Sequence, residues 1–347
     1  MMEKYQVMLS VPLQESDIQA IEATAPDVTI IYAMEEVRTE LGISRTGMPS
    51  LLHSARQSEI SQEQASKALD SILADTDMIF GWRLPNNLLA RAPKLKWVQG
   101  SGVGIDLLVA STGLMESDVI ITNAGGINAS QVAEAALGFI FMIAKKTAML
   151  YENMNAAIWK PMYFAELKGA TLGIVGLGKV GGELAKYSRT LGMTVYSSTK
   201  LDENVSGVDR VYAPDDLHKM LPECDYVVLT VPQTPETIGL IGETALKRMK
   251  PEAYLINVAR GGVVQEDVLI RALKEGWIAG AALDVFEKEP LPPDSELWRL
   301  PNVIISPHIA GILENHMTAA TGLFCDNLKR FIQGEQLINI FNKARGY

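Results

Sequence analysis

The chain is 347 residues long, enough for two domains of ordinary size that each bury a core. Hydrophobic residues make up 48% and charged residues 21%, a globular balance that excludes a disordered chain. Acids outnumber bases, 41 to 31, and the formal charge of −10 repels phosphate backbones, so nucleic acid is not expected as a partner. An anionic substrate would have to be held by a local set of arginine, histidine or backbone amides. The two cysteines, Cys224 and Cys325, lack CxxC spacing and read as core residues of a protein in a reducing, cytoplasmic setting. Residues 1–13 carry no signal-peptide pattern, and the longest apolar stretch, 132–144, is interrupted by Glu134 and too short for a bilayer. No membrane partner is expected.

Short β-rich runs alternate with helical patterns, the mark of parallel sheets with crossover helices. The first series occupies residues 6–11, 28–32, 78–82, 95–99 and 119–122. Residues 35–64 are polar and patternless, and no role can be assigned to them. A mostly apolar helical stretch runs from Asn128 to about Met154. The second series occupies 171–175, 194–197, 226–231, 254–258, 278–284 and 303–306, the six strands of a complete dinucleotide fold. Residues 317–333 then read as an amphipathic helix with no strand of its own.

The stretch Thr171-Leu-Gly-Ile-Val-Gly176-Leu-Gly178-Lys-Val-Gly181 is a strand, a glycine turn and a helix start in that order. Gly176 permits the tight turn, Gly178 lets backbone approach a pyrophosphate, and Gly181 lets the helix pack close to the strand. The helix N-terminus offers unpaired N–H groups to the phosphates. A nicotinamide dinucleotide is therefore expected at Gly176, Leu177, Gly178, Lys179, Val180 and Gly181. After the next strand, NAD sites usually place an acid to bind the ribose 2′-hydroxyl. Here the residues are Ser197, Ser198, Thr199 and Lys200, whose hydroxyls and cation suit a 2′-phosphate, so NADP is favoured over NAD. The alternatives are that Asp202 reaches the ribose from slightly further on, or that the site is indifferent to the 2′-group.

Arg260, Glu289 and His308 each stand at or just beyond the carboxyl end of an expected strand, the edge where open α/β sheets bind ligands. Singly, each has an ordinary reading: a surface cation, a turn acid, a loop histidine. Together they supply what hydride transfer to a ketone needs. The oxygen must receive a proton from an acid charged near neutral pH, which suits His308. A carboxylate on the other ring nitrogen, Glu289, would favour the charged ring and fix its orientation. Arg260 can hold a carboxylate and polarise the keto oxygen through its planar fork. His53, His218 and His316 lack this setting and read as structural or surface residues.

With these stretches, and with Ala282-Leu-Asp-Val-Phe-Glu-Lys-Glu289-Pro and Ser306-Pro-His308-Ile-Ala-Gly, the chain strongly resembles the D-isomer-specific 2-hydroxyacid dehydrogenases, including their glyoxylate and hydroxypyruvate reductases. The likeness extends through Trp97-Val-Gln-Gly-Ser-Gly-Val-Gly-Ile-Asp106 and Asn123-Ala-Gly-Gly-Ile-Asn128 to the closing Ala344-Arg-Gly-Tyr, while the first seventy or so residues match poorly. The resemblance implies an α/β chain of two doubly wound parallel-sheet domains, with a Rossmann cofactor domain inserted into a flavodoxin-like substrate domain. The expected boundaries are 1–124 for the first part of the substrate domain, 125–312 for the dinucleotide domain with its dimerisation helix, and 313–347 for the returning helix.

It also implies roles for Arg260, Glu289 and His308 like those read above, for Val103 and Gly104 amides as carboxylate receivers beside Arg260 and His308, and for Asp284 near the nicotinamide. Val231, Pro232, Val258, Ala259, Arg260 and His308 complete the expected cofactor contacts, and no metal is expected. A homodimer is implied, with Trp159 either reaching into the partner's pocket or packing in the interface. Arg83 reads as an exposed cation or a contact for an anionic substrate. The expected reaction is reduction of a small anionic 2-oxo acid by NAD(P)H to a D-2-hydroxy acid. Glu289, where formate dehydrogenases carry glutamine, disfavours that activity. Phosphonate oxidation and a dinucleotide-dependent, corepressor-like binding protein remain as alternatives.

Overall fold

The computed structural model describes residues 5–43, 60–105, 108–109, 112–200 and 206–343. Asp202, His53, the closing 344–347 and most of the patternless region fall outside them. The chain divides into two compact units, Met1–Ile127 with Leu313–Tyr347 and, between them in sequence, Asn128–Ile312. Both are α/β units built on parallel sheets, the class anticipated from the alternating runs.

The first unit carries a five-stranded parallel sheet from β1 (Gln6–Ser10), β2 (Thr29–Tyr32), β3 (Met78–Gly81), β4 (Trp97–Gly100) and β5 (Ile120–Thr122). Its order is β2-β1-β3-β4-β5, the flavodoxin-like order. The described parts of the patternless region include the helices Met34–Glu40 and Gln62–Leu73. The helix His316–Gln333 packs on this sheet: Ala320, Phe324, Cys325 and Leu328 share a core with Val7, Leu9, Phe80 and Trp97. Phe324 stacks on Phe80 at 4.6 Å and on Trp97 at 5.3 Å between centroids. Truncating so enclosed an aromatic costs about 3–5 kcal/mol, so the helix is a fixed part of the unit. Gly334, at φ +71°, ends it.

The second unit carries seven parallel strands rather than six. They are β6 (Thr171–Val175), β7 (Thr194–Ser198), β8 (Arg210–Tyr212), β9 (Tyr226–Leu229), β10 (Tyr254–Asn257), β11 (Gly280–Leu283) and β12 (Val303–Ile305). The order is β12-β11-β10-β9-β6-β7-β8, with β6 at the point where the order reverses. The strand missed in the sequence, β8, is three residues long and lies at the sheet edge beside β7, too short for a period-2 pattern to register. β9 and β11 are buried along their whole length, so they read as unbroken apolar runs. The single apolar helix expected from Asn128 to Met154 is two, Ala129–Ala144 and Thr147–Asn155. The break falls at the Lys145-Lys146 pair, where Lys146 takes φ +51°. No helix among the described residues is long and apolar enough to cross a membrane.

Candidate active site

The glycine turn joins β6 to the helix Lys179–Thr190 at the carboxyl edge of the sheet. Gly176 lies at φ +97°, and a side chain there would also bring Cβ to 2.7 Å from Val231. A Cβ on Gly181 would stand 2.3 Å from the Gly176 carbonyl oxygen, so this glycine is what lets the helix close onto the turn. At Gly178, by contrast, a Cβ would meet nothing within 4 Å. The missing side chain leaves open space over the helix N-terminus, which is what a pyrophosphate needs. Thr230, at the end of β9, donates its hydroxyl to the Gly176 carbonyl at 2.6 Å and anchors the turn from the neighbouring strand.

At β10, Asn257 organises the loop that ends in Arg260. Its side-chain oxygen accepts from the Ala259 amide at 3.0 Å and its nitrogen donates to the Arg260 carbonyl at 3.0 Å. Gly261 then lets this loop run against the segment after β11: a Cβ there would overlap the Phe286 carbonyl at 1.9 Å. The Arg260 guanidinium donates to the Ala259 carbonyl at 2.7 Å and is half-buried.

His308 follows β12, with its Nδ1 2.7 Å from Glu289 Oε2. A carboxylate accepts, so Nδ1 carries the proton and Nε2 is left for other chemistry. Glu289 is held in turn, its Oε1 accepting from the Phe286 amide at 3.1 Å. His308 sits at φ +54°, a conformation that costs a non-glycine residue about 1–3 kcal/mol and persists where surroundings impose it. Those surroundings are Asp284. Its backbone carbonyl accepts from the His308 amide at 2.8 Å, and its buried carboxylate accepts from the Ile309 amide at 2.9 Å, the Ala310 amide at 3.0 Å and the Ser306 hydroxyl. The residues Ser306-Pro-His308-Ile-Ala310 are thus wrapped around one buried acid.

The model of the D-isomer specific 2-hydroxyacid dehydrogenase NAD-binding domain matches residues 137–310, about half the chain. A glyoxylate reductase of Thermococcus litoralis is 38% identical over 272 residues, 75% of this chain and 81% of the relative. A glyoxylate reductase of Korarchaeum cryptofilum is 36% identical over 260 residues, covering 73% of this chain and 77% of the relative. A D-isomer specific 2-hydroxyacid dehydrogenase of Xanthobacter autotrophicus Py2, solved with NADPH and MES, superposes with a TM-score of 0.79 at 29% identity over 99% of both chains. The chain belongs to the D-isomer specific 2-hydroxyacid dehydrogenase family. Membership makes a nicotinamide dinucleotide the group that the glycine turn must accommodate, and the open space at Gly178 fits it.

The remaining expected residues of this dehydrogenase fall at separate places. Ser198 ends β7 with its hydroxyl directed to the Ala213 carbonyl at 3.5 Å, and Thr199 donates its amide to Tyr212 of β8. Lys200 is exposed and ion-paired with Glu236. Val231 and Pro232 follow β9, and Val258 and Ala259 follow β10, on the same edge as the glycine turn. Val103 and Gly104 lie in the loop after β4 of the first unit. Arg83 leans over the Trp82 ring at 5.6 Å. Trp159 is 97% exposed, and Tyr151, Met154, Ile158 and Tyr163 near it in sequence are exposed too.

Several residues with clear work to do escaped the sequence reading. Ser306 lies in the motif around His308 and Asn257 three residues before Arg260, but no sequence pattern assigns an Asx turn or a hydroxyl clamp. Thr230 had no signal at all. His316, read as structural or surface, donates from Nε2 to the Ser101 carbonyl at 3.0 Å. Cys224 and Cys325 are both buried and unpaired, and burial pushes the Cys224 thiol up to about 12, which leaves it unreactive.

Proposed function

We propose that this dehydrogenase reduces a small 2-oxo acid, of the size of glyoxylate or hydroxypyruvate, to the D-2-hydroxy acid, with NADPH preferred over NADH. The dinucleotide supplies the hydride; the chain's residues bind, orient and deliver the proton. In the second unit Arg260 is the cation for the substrate carboxylate and keto oxygen; in the first unit the Val103 and Gly104 amides are the donors proposed for a carboxylate. His308 gives the proton from Nε2 to that oxygen. Glu289 holds the other nitrogen and fixes the orientation of the ring. Asp284 keeps the ring at its station through the loop rather than by touching substrate.

The observation that carries the reading is the 2.7 Å contact between His308 and Glu289, on a loop held in a left-handed turn by a buried carboxylate. His308 is half exposed, and a histidine kept at the surface for the fold alone would need no such support. The preference for NADPH is supported by the absence of an acid at Ser198-Thr199-Lys200 and by the cation there. A homodimer is supported by the run of exposed large apolar side chains from Tyr151 to Phe164, the kind of surface that marks a protein–protein contact. The two buried thiols fit a reducing, cytoplasmic setting.

The test is steady-state reduction of glyoxylate, hydroxypyruvate and bulkier 2-oxo acids with NADPH and with NADH. Turnover of the small acids, faster with NADPH, is expected. Binding of NADPH with no turnover of any 2-oxo acid would favour a dinucleotide-dependent binding protein instead.

A further inference from the structure

His316 takes no part in the proton transfer, yet its ring is tied to the loop that follows β4. The ring nitrogen Nε2 lies 3.0 Å from the Ser101 carbonyl oxygen. A carbonyl only accepts, so Nε2 carries the proton and the imidazole donates. The donor comes from a fixed element, because His316 is the first residue of the helix whose Ala320, Phe324 and Leu328 are sealed into the core of the first unit.

The loop is held at three backbone groups. The Ser101 amide donates to the Gly81 carbonyl at 2.9 Å, the Ser101 carbonyl accepts from His316, and the Gly102 carbonyl accepts from the Ala124 amide at 2.9 Å. Each peptide unit is planar, so fixing a carbonyl fixes the N–H of the next residue. The Ser101 carbonyl shares its plane with the Gly102 amide, and the Gly102 carbonyl shares its plane with the Val103 amide. Among the described residues nothing accepts from the Gly102, Val103 or Gly104 amides. Gly100 makes the tight start possible, since a Cβ there would lie 2.5 Å from Ile105. The result is a run of oriented, unsatisfied donors, the arrangement that takes an anion.

We propose that His316 is a positioning residue of this anion-receiving loop. By donating to the Ser101 carbonyl it fixes the Ser101–Gly102 peptide plane, at the start of the run whose Val103 and Gly104 N–H groups receive the substrate carboxylate, and it polarises the Gly102 N–H. The inference rests on the reading above, in which this loop takes the carboxylate of a 2-oxo acid. It adds a residue from the C-terminal helix, outside every motif that carries the family resemblance.

His316→Ala and His316→Gln separate this role from simple support of the fold. The readouts are KM for glyoxylate, the inhibition constant of oxamate (a carboxylate-bearing mimic), kcat, and KM for NADPH. In His316→Ala, KM for glyoxylate and the oxamate constant should rise together by about tenfold, the scale of one hydrogen bond to an anion site. The kcat value and KM for NADPH should stay within about threefold, because the proton donor and the glycine turn are untouched. In His316→Gln, whose side-chain amide can donate to the same carbonyl, both constants should return to within about threefold of wild type. An unchanged glyoxylate KM in His316→Ala overturns the assignment, and so does a glutamine variant as impaired as the alanine one. A wild-type enzyme that turns over no 2-oxo acid overturns the underlying functional reading instead, which the wild-type panel reveals before any variant is made.

Discussion

Two places on the carboxyl edge of the second sheet serve one dinucleotide fold and are built in opposite ways. Beyond β11 and β12, the Asp284 carboxylate binds three donors, Glu289 is held by a backbone amide, and His308 is forced to φ +54°. Beyond β7, Ser198 and Thr199 make ordinary sheet-edge contacts, and Lys200 and Glu236 pair with side chains 62% and 70% exposed. The difference follows from the work proposed for each. Proton transfer needs heavy atoms within hydrogen-bonding reach in one orientation, so its support is buried and over-determined. Choosing a 2′-phosphate over a 2′-hydroxyl needs only charge of the right sign nearby, and an exposed pair worth about 0–1 kcal/mol can be exchanged for it.

That contrast predicts unequal costs for equally small substitutions. Among the residues that only support the site, the largest is expected from Asp284→Asn. Asparagine has one acceptor where the aspartate has two, so a buried N–H or hydroxyl loses its partner at a cost of about 1–3 kcal/mol. The strained His308 turn then relaxes, and kcat for the 2-oxo acid should fall about 100-fold, the cost of a misplacement near 1 Å. A near-normal kcat would mean the turn holds itself.

A smaller effect is expected at the loose end. Lys200→Ala should lower the ratio of kcat/KM for NADPH over NADH by about three- to tenfold, with kcat for either cofactor little changed. Glu236→Gln removes the competing carboxylate and should move the ratio about twofold the other way. Both effects should shrink in high salt. A salt-independent change as large as that of Asp284→Asn would erase the contrast.

The smallest effect concerns Glu266, whose carboxylate accepts from the Glu287 amide while its own amide donates to the Glu287 carboxylate, where the helix Glu266–Glu275 begins. Burial pushes its carboxyl above the ordinary value, with the Glu287 charge adding to the rise and the backbone hydrogen bond opposing it. An acid whose pKa is raised by folding binds its proton more tightly in the folded chain, so stability falls as pH rises through the folded value. Glu266→Gln removes this cost. The melting temperature should rise by about a degree at pH 7–8 and not at all below the unfolded carboxylate range. A loss of stability at neutral pH would show that the charged form is the one the fold favours.

Much of this molecule was legible before its structure. Period-2 and unbroken apolar runs located eleven of the strands, since a parallel sheet buried on both faces admits little but Val, Ile, Leu and Ala. The glycine turn was legible because each glycine answers a steric demand that its neighbours impose. What escaped has a common physical origin. β8 is defined by hydrogen bonds to β7 rather than by its own three residues. The two-helix break at Lys146 is a backbone torsion with no breaker residue to announce it. Asp284, expected near the nicotinamide, has its whole carboxylate engaged by residues 22 to 26 positions away, a relation no local pattern encodes. His316 acts on Ser101 across 215 residues of sequence.

The central claim is that the tightly held His308 donates the proton, and His308→Gln tests it most directly. Glutamine keeps a polar side chain near Glu289 but has no acidic N–H to give. With glyoxylate and NADPH, kcat should fall about 10²- to 10⁴-fold, the contribution of a positioned general acid, while NADPH affinity measured by fluorescence titration stays within about threefold. A variant that turns over at near wild-type rate would contradict the account and move the proton donor elsewhere.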